Sequence, residues 1–264
     1  MGTTDSRATA TNYQDLWWNA AEPGWGVNFN HQGNILFGTL FTYDANGAPT
    51  WLVMSDGEKQ ADGSYQGDLF QLHGPAFNAP TWTATTLNKV GSMKLAFTAN
   101  DQGTLTYTFN GTPVVKQITR QPFAAAAPVC SWSAFDRSFS FNLQDLWWNP
   151  AENGWGLNLT QHGDTMFATL FVYGSDGSPQ WYVMSSGARV PGNFLSFSGT
   201  LYRTTGPAFN ASPWTAAQAA SVGAMRLDFS DGKTAKLTYD VNGVQVVKNV
   251  TRQVFSTPAT DCGS

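Results

Sequence analysis

The segment Trp17-Trp18-Asn19-Ala20-Ala21-Glu22-Pro23-Gly24-Trp25-Gly26 returns as Trp147-Trp148-Asn149-Pro150-Ala151-Glu152-Asn153-Gly154-Trp155-Gly156. Further along, Gly74-Pro75-Ala76-Phe77-Asn78 returns as Gly206-Pro207-Ala208-Phe209-Asn210. The offset grows from 130 (147 − 17) to 132 (206 − 74), so the second copy holds two extra residues, which fall near Val190-Pro191-Gly192. That position lies between two strand-like runs, where a hairpin turn accepts insertion. A period this long is a duplicated domain, because solenoid repeats run about 20–50 residues. The chain of 264 residues therefore divides into two modules of ordinary domain size. The duplication also supplies an internal comparison: positions kept in both copies serve the module, and positions that drifted do not have to.

Within one copy the pattern is that of strands. The run from Trp25 to His31 alternates apolar and polar residues, the mark of a half-buried strand. A longer run follows from Ile35 to Tyr43, then a turn at Asn46-Gly47, then a return from Pro49 to Met54. Further strand-like runs end in turns at Asp62-Gly63, Asn100-Asp101-Gln102-Gly103 and Asn110-Gly111, and the last run carries Val114, Lys116, Ile118 and Arg120 on one face. The stretch from Gly74 to Val90, with Pro75, Pro80 and Trp82, does not read as strand. The expectation is an all-β chain of two tandem antiparallel meanders of about seven to eight strands each. Each would form an up-and-down β-barrel or a sandwich, with the barrel preferred because a meander closes without crossing connections. The modules are placed at 1–125 and 143–264, with 126–142 as linker or arm.

Composition narrows the function classes. Only 12% of residues are charged while 14% are aromatic, with 11 Trp, and the net charge is −4. That balance argues against a partner with a phosphate backbone, so no nucleic acid is expected. No stretch approaches the ~18–20 apolar residues of a membrane-spanning helix. Met1-Gly2-Thr3-Thr4-Asp5 has neither the basic start nor the apolar core of a signal peptide. The low charge and the Thr/Asn-rich polar positions nevertheless suggest an extracellular or periplasmic protein whose leader is absent from this chain. Cys130 and Cys262 are equivalent positions in the two copies. If a pseudo-twofold axis relates the copies, they can meet in a disulfide between the modules; otherwise they are two thiols on two tails.

The polar residues kept in both copies are the candidates for chemistry. They are Asp15/Asp145, Asn19/Asn149, Glu22/Glu152, Asn28/Asn158, Lys116/Lys248 and Arg120/Arg252. Lys116 and Arg120 are expected to point inward; buried cations require partners, and the kept acids Glu22 and Asp15 are the candidates, with no assignment between them. The bland reading is a structural Arg–Glu bridge pinning the Trp-Trp-Asn segment to the last strand. No histidine is kept: His31 aligns with Gln161, His162 with Gln32 and His73 with Thr205. A catalytic triad or a metal site shared by the two copies is therefore not expected, and no cofactor-binding motif is present.

The second copy, from Trp147 through Met184, resembles a repeat of poorly characterised bacterial exported proteins. That repeat runs Trp-Trp-Asn-Pro-x-Glu-x-Gly-Trp-Gly, continues through a Tyr-Arg-Thr-Thr-Gly-Pro segment (here Tyr202 to Pro207) and closes with Thr-Arg-Gln-x-Phe (here Thr251 to Phe255). The first copy departs from it at Phe70-Gln71-Leu72-His73. The resemblance implies export and tandem modules, and brings no catalytic residues with it.

Three functional expectations follow. The first is a secreted binding protein for a neutral or weakly polar ligand, foremost a glycan. Its platforms would be Trp17 and Trp18 with Asn19 and Glu22 on hydroxyls and Arg120 orienting Glu22, and likewise Trp147, Trp148, Asn149, Glu152 and Arg252. The second is a hydrolase or lyase with Glu22 or Glu152 as general acid/base, Asp15 or Asp145 completing a carboxylate pair about 5–10 Å apart. The third is a structural or adhesion module whose aromatics are core. Exposure of the tryptophans separates them.

Overall fold

A computed structural model describes residues 12–125 and 127–263; the N-terminal residues read above for a leader lie outside them. Both copies form closed eight-stranded antiparallel barrels. In the first, β1 (Asp15–Trp18), β2 (Gly26–Gln32), β3 (Ile35–Tyr43), β4 (Pro49–Lys59), β5 (Tyr65–His73), β6 (Thr86–Ala99), β7 (Gln102–Phe109) and β8 (Thr112–Arg120) pair in sequence. The ring closes where Trp17 of β1 faces Arg120 of β8. Between the barrels runs β9 (Val129–Ser133). The second barrel repeats the order as β10 (Asp145–Trp148), β11 (Gly156–His162), β12 (Thr165–Tyr173), β13 (Pro179–Val190), β14 (Asn193–Thr205), β15 (Gln218–Phe229), β16 (Thr234–Val241) and β17 (Val244–Arg252). The two-residue insertion sits in the β13–β14 turn. The last strand, β18 (Ala259–Gly263), pairs with β9.

The turn chemistry explains the meander. Asn110-Gly111 and Asn242-Gly243 join the last two strands of each barrel with φ of 49°/80° and 52°/84°. Two successive positive-φ residues twist in the sense of the flanking strands, and Asn-Gly tolerates them at least cost. Inside the first barrel, Leu36, Leu40, Leu52, Met54, Met93 and Leu105 are wholly buried. On β8, Val114, Lys116, Ile118 and Arg120 are buried while the residues between them are exposed, the period of a strand with one face to the interior.

The strands β2, β3 and β4 do not show that alternation. Every residue of β2 is buried, and so is every residue of its counterpart β11. The outer face of this part of each barrel packs against the other barrel about a pseudo-twofold axis, and the contacts come in reciprocal pairs. Trp51 Nε1 donates to Val172 O at 3.1 Å and Trp181 Nε1 to Thr42 O at 2.9 Å. Gln14 Nε2 donates to Gln144 O at 3.1 Å and Gln144 Nε2 to Gln14 O at 3.3 Å. Asn28 reaches Thr169 at 3.4 Å and Asn158 reaches Thr39 at 3.2 Å, with Asn30 bonded to Asn158 between them. Phe41, Trp51, Phe171 and Trp181 form one aromatic cluster across the seam. Cys130 and Cys262 lie opposite each other in the β9–β18 pair and form a disulfide, flanked by Gln144 and Gln14. The segment expected as linker or arm thus contributes a strand, and a single 3-10 turn at Arg137–Phe139 follows that strand.

Candidate functional site

Of the stretch expected to be irregular, Gly74 to Val90, the residues from Thr86 onward belong to β6, which begins earlier than expected; the remainder, Gly74 to Thr85, crosses to the other barrel, and Gly206 to Ala217 does the reverse. Phe77 N donates to Tyr173 O at 3.0 Å and Phe209 N to Tyr43 O at 3.1 Å. Trp82 Nε1 donates to Asn153 O at 2.9 Å and Trp214 Nε1 to Pro23 O at 3.1 Å. Each loop presses on a glycine of the other module. A Cβ on Gly24 would collide with Ala217 and one on Gly154 with Thr85, and both glycines hold φ near +100° (111° and 101°), where a side chain is strained.

Under each crossing loop sits a polar cluster. Lys116 Nζ is 2.7 Å from Glu22, and Trp25 Nε1 donates to the same carboxylate at 3.1 Å. The ammonium also lies over the rings of Trp25 and of Trp214 from the other module, 5.7 and 5.1 Å from their centroids. The second barrel repeats this with Lys248 2.8 Å from Glu152, Trp155 on the carboxylate at 3.0 Å and Trp82 over the lysine at 5.7 Å. The Glu22 carboxylate in turn raises the pKa of buried Tyr107, after burial itself. Asn19 builds the turn that presents Glu22: its side chain accepts from Ala21 N at 2.9 Å and its carbonyl from Glu22 N at 2.9 Å. Asn149 does the same for Glu152.

The arginines belong elsewhere. Arg120 pairs with Asp15 at 3.0 Å and donates to Asn12 O at 2.6 Å and Asn100 O at 2.8 Å. Arg252 shares Asp145 with Arg137, at 3.2 and 2.5 Å. Burial pushes the Asp145 carboxyl up while the two guanidinium groups oppose that shift. The expectation that Arg120 orients Glu22 is therefore corrected: Lys116 does, and Arg120 serves Asp15. Lys116 and Arg120 are four residues apart on one strand, about 13 Å from Cα to Cα, and each holds a different carboxylate.

Trp17 and Trp147 are also corrected as platforms. Both are 0% exposed. Each indole N–H is spent on a backbone carbonyl, Tyr13 O and Leu143 O at 3.0 Å, and each face carries an arginine, at 5.0 and 5.4 Å. They are core. Trp18 and Trp148, one residue on, are partly exposed because the side-chain direction flips along the strand.

Trp148 lines a groove of about 290 Å³ between the barrels. The first module contributes Phe37, Trp51, Val53, Leu72 and Leu87 to it, and the second Leu146, Trp148, Trp155 and Phe171. Its polar side chains, Thr39, Ser55, Thr85, Asn153 and Gln253, are all neutral, and no lining residue is charged. Sequence reasoning missed Phe37, Leu72 and Leu87, because a groove wall made by two modules has no signature within either. Trp82 and Trp214 were detectable: a tryptophan kept twice inside a loop has no barrel interior to fill. No protein-family model and no curated protein matches the chain.

Proposed function

We propose that the chain is an exported binding protein whose two modules together hold one neutral or weakly polar ligand in the groove at Trp148, with a glycan as the first candidate class. The observation that carries this is the chemistry of the lining: broad apolar and aromatic walls, neutral hydroxyls and amides, and no charge. Trp148 offers a flat face for the C–H surface of a sugar, and Asn153 and Gln253 supply directional hydrogen bonds. Export is supported by the disulfide, which persists in oxidising compartments, and by the resemblance to exported repeats. Among the described residues no helix is long and apolar enough to cross a membrane.

The leucines Leu72 and Leu87 favour a second reading, a wholly apolar guest. Both readings are tested on one set of proteins. Wild type and Trp148→Ala are screened on a glycan array and titrated with the neutral fluorophore N-phenyl-1-naphthylamine. Binding of a glycan that Trp148→Ala abolishes supports the first reading. Uptake of the fluorophore alone, lost in the same variant, supports the second. Wild-type behaviour of Trp148→Ala towards every bound probe would remove the groove from function. Glu22 and Glu152, the acids of the enzyme reading, are each engaged by a lysine and an indole N–H.

A further inference from the structure

The far end of the first barrel carries a second cleft, of about 320 Å³, unlike the groove in character. Its floor is an aromatic stack. Tyr13 lies against Phe97 with centroids 3.7 Å apart and planes 6° off parallel, and against His31 at 5.6 Å and 12°. Trp132 of β9 stands over His31 at 5.1 Å, edge to face, and remains 37% exposed. Trp132 is two residues from Cys130 on the same strand, so the disulfide and the β18 pairing hold it in place. Lys59, Asp62 and Ser64 form the polar rim. Asp62 is already oriented, by Ser64 and by Lys94 Nζ at 3.0 Å, and these hydrogen bonds hold its carboxyl well below the usual range.

The barrel itself does not require this arrangement. The corresponding end of the second barrel has Leu143 in place of Tyr13, Phe197 in place of Tyr65 and Arg189 in place of Lys59. That end of the second barrel also holds a cleft, of about 490 Å³, but its aromatic lining is Phe135, Phe139 and Phe141, with no indole or phenol among the lining residues, and its Asp164 is paired with Arg189.

We infer that this cleft is a second, independent glycan-binding site, in which one sugar ring stacks on Trp132 and its hydroxyls meet Asp62 and Lys59. An exposed aromatic face beside a fixed carboxylate and an amine is the chemistry a pyranose ring needs: apolar C–H groups on one side and hydroxyl donors and acceptors round the rim. The inference does not rest on the groove at Trp148.

The test uses the full chain and its Trp132→Ala, Trp132→Phe, Asp62→Asn and Trp148→Ala variants. Each is titrated calorimetrically with cellotetraose, chitotetraose, maltotetraose and laminaritetraose, and circular dichroism checks each fold. The expected result is that at least one of these binds and that Trp132→Ala raises its Kd about tenfold or more, the loss of ~1.4 kcal/mol of stacking. Trp132→Phe should keep most of the affinity, Asp62→Asn should weaken it, and Trp148→Ala should leave it unchanged. The inference is overturned if none of the four binds, or if the Kd is unchanged in both Trp132→Ala and Asp62→Asn. Loss in Trp148→Ala alone would overturn it while leaving the groove reading standing.

Discussion

His31 is wholly buried, accepts a hydrogen bond from Tyr13 N on Nδ1 at 3.1 Å and meets the Tyr65 hydroxyl through Nε2 at 3.0 Å. Burial, with Lys59 and Arg120 adding to it, lowers its pKa to about 3. In the unfolded chain the ring titrates near 6.5. Between those values the unfolded state binds a proton that the folded state refuses, so stability rises with pH through this window and is fully present above about 6.5. A shift of this size corresponds to at most about 4–5 kcal/mol lost as pH falls from 6.5 to 3. The second barrel shows how to remove the effect. Its Gln161 holds the equivalent position, and its Oε1 accepts from Leu143 N at 2.9 Å, the same task that His31 Nδ1 performs. Its Phe197 replaces Tyr65, so the double variant His31→Gln/Tyr65→Phe copies a solution the fold already contains. At neutral pH the variant should sit within about 1–2 kcal/mol of wild type. Urea unfolding followed by tryptophan fluorescence from pH 3.5 to 7.5 gives stability at each pH. Carboxylates contribute their own acid loss in both proteins, so the quantity to follow is the difference between them. That difference should shrink by several kcal/mol as the pH falls and then change sign in favour of the variant. Parallel curves would show that His31 is protonated in the folded protein and would refute the argument.

Arg120→Met should lower stability by about 3–5 kcal/mol, because both members of the Arg120–Asp15 pair are buried, whereas Arg226→Met, in a solvent-screened pair with Asp228, should leave stability close to wild type. Chemical denaturation of the two variants compares them directly, and equal losses would contradict the burial. Trp82→Ala should act in trans: amide-exchange protection should fall around Glu152 to Trp155 and Lys248 of the second barrel, while the interior of the first barrel stays protected. Loss confined to the first barrel would show that the crossing loop is not a cap.

The barrel itself was readable because its signals are local. Alternation along β8, Asn-Gly at the hairpins and the unbroken meander each depend on a few neighbouring residues. The inward direction of Lys116 and Arg120 was readable too, from their persistence beside drifting neighbours. Their partners were not. Glu22 and Asp15 are both kept acids close in sequence, and only the register of β1 on β8, with Trp17 opposite Arg120, assigns Asp15 to the arginine and leaves Glu22 for the lysine. The seam between barrels was hidden for a different reason. Asn28, Asn30 and Thr39 are polar residues on the outer face, and a polar face looks the same in sequence whether water or a second polar face covers it. Trp17 and Trp18 mislead in the same way: adjacent residues of one type go to opposite sides of the strand, and the doublet does not say which side is wet. The disulfide stood open until the β9–β18 register placed Cys130 opposite Cys262.

The twofold seam has a further consequence. In an assembly of two identical chains, any substitution at the axis confronts its own image, so a change must suit both sides at once. Here the two sides are written separately, and a single substitution meets an unaltered counterpart. Asn28 and Asn158 still mirror each other in the bond each amide donates across the seam, to Thr169 and to Thr39. At the neighbouring pair the halves have parted company: Gln32 ties down Gln253, Phe255 and Ser256, whereas His162 lies flat on Phe123 at 3.9 Å. Joining the halves in one polypeptide thus turns a constraint of symmetry into two adjustable surfaces, and an indole lining the cleft at one barrel's end where phenyl rings line the other is what such licence permits.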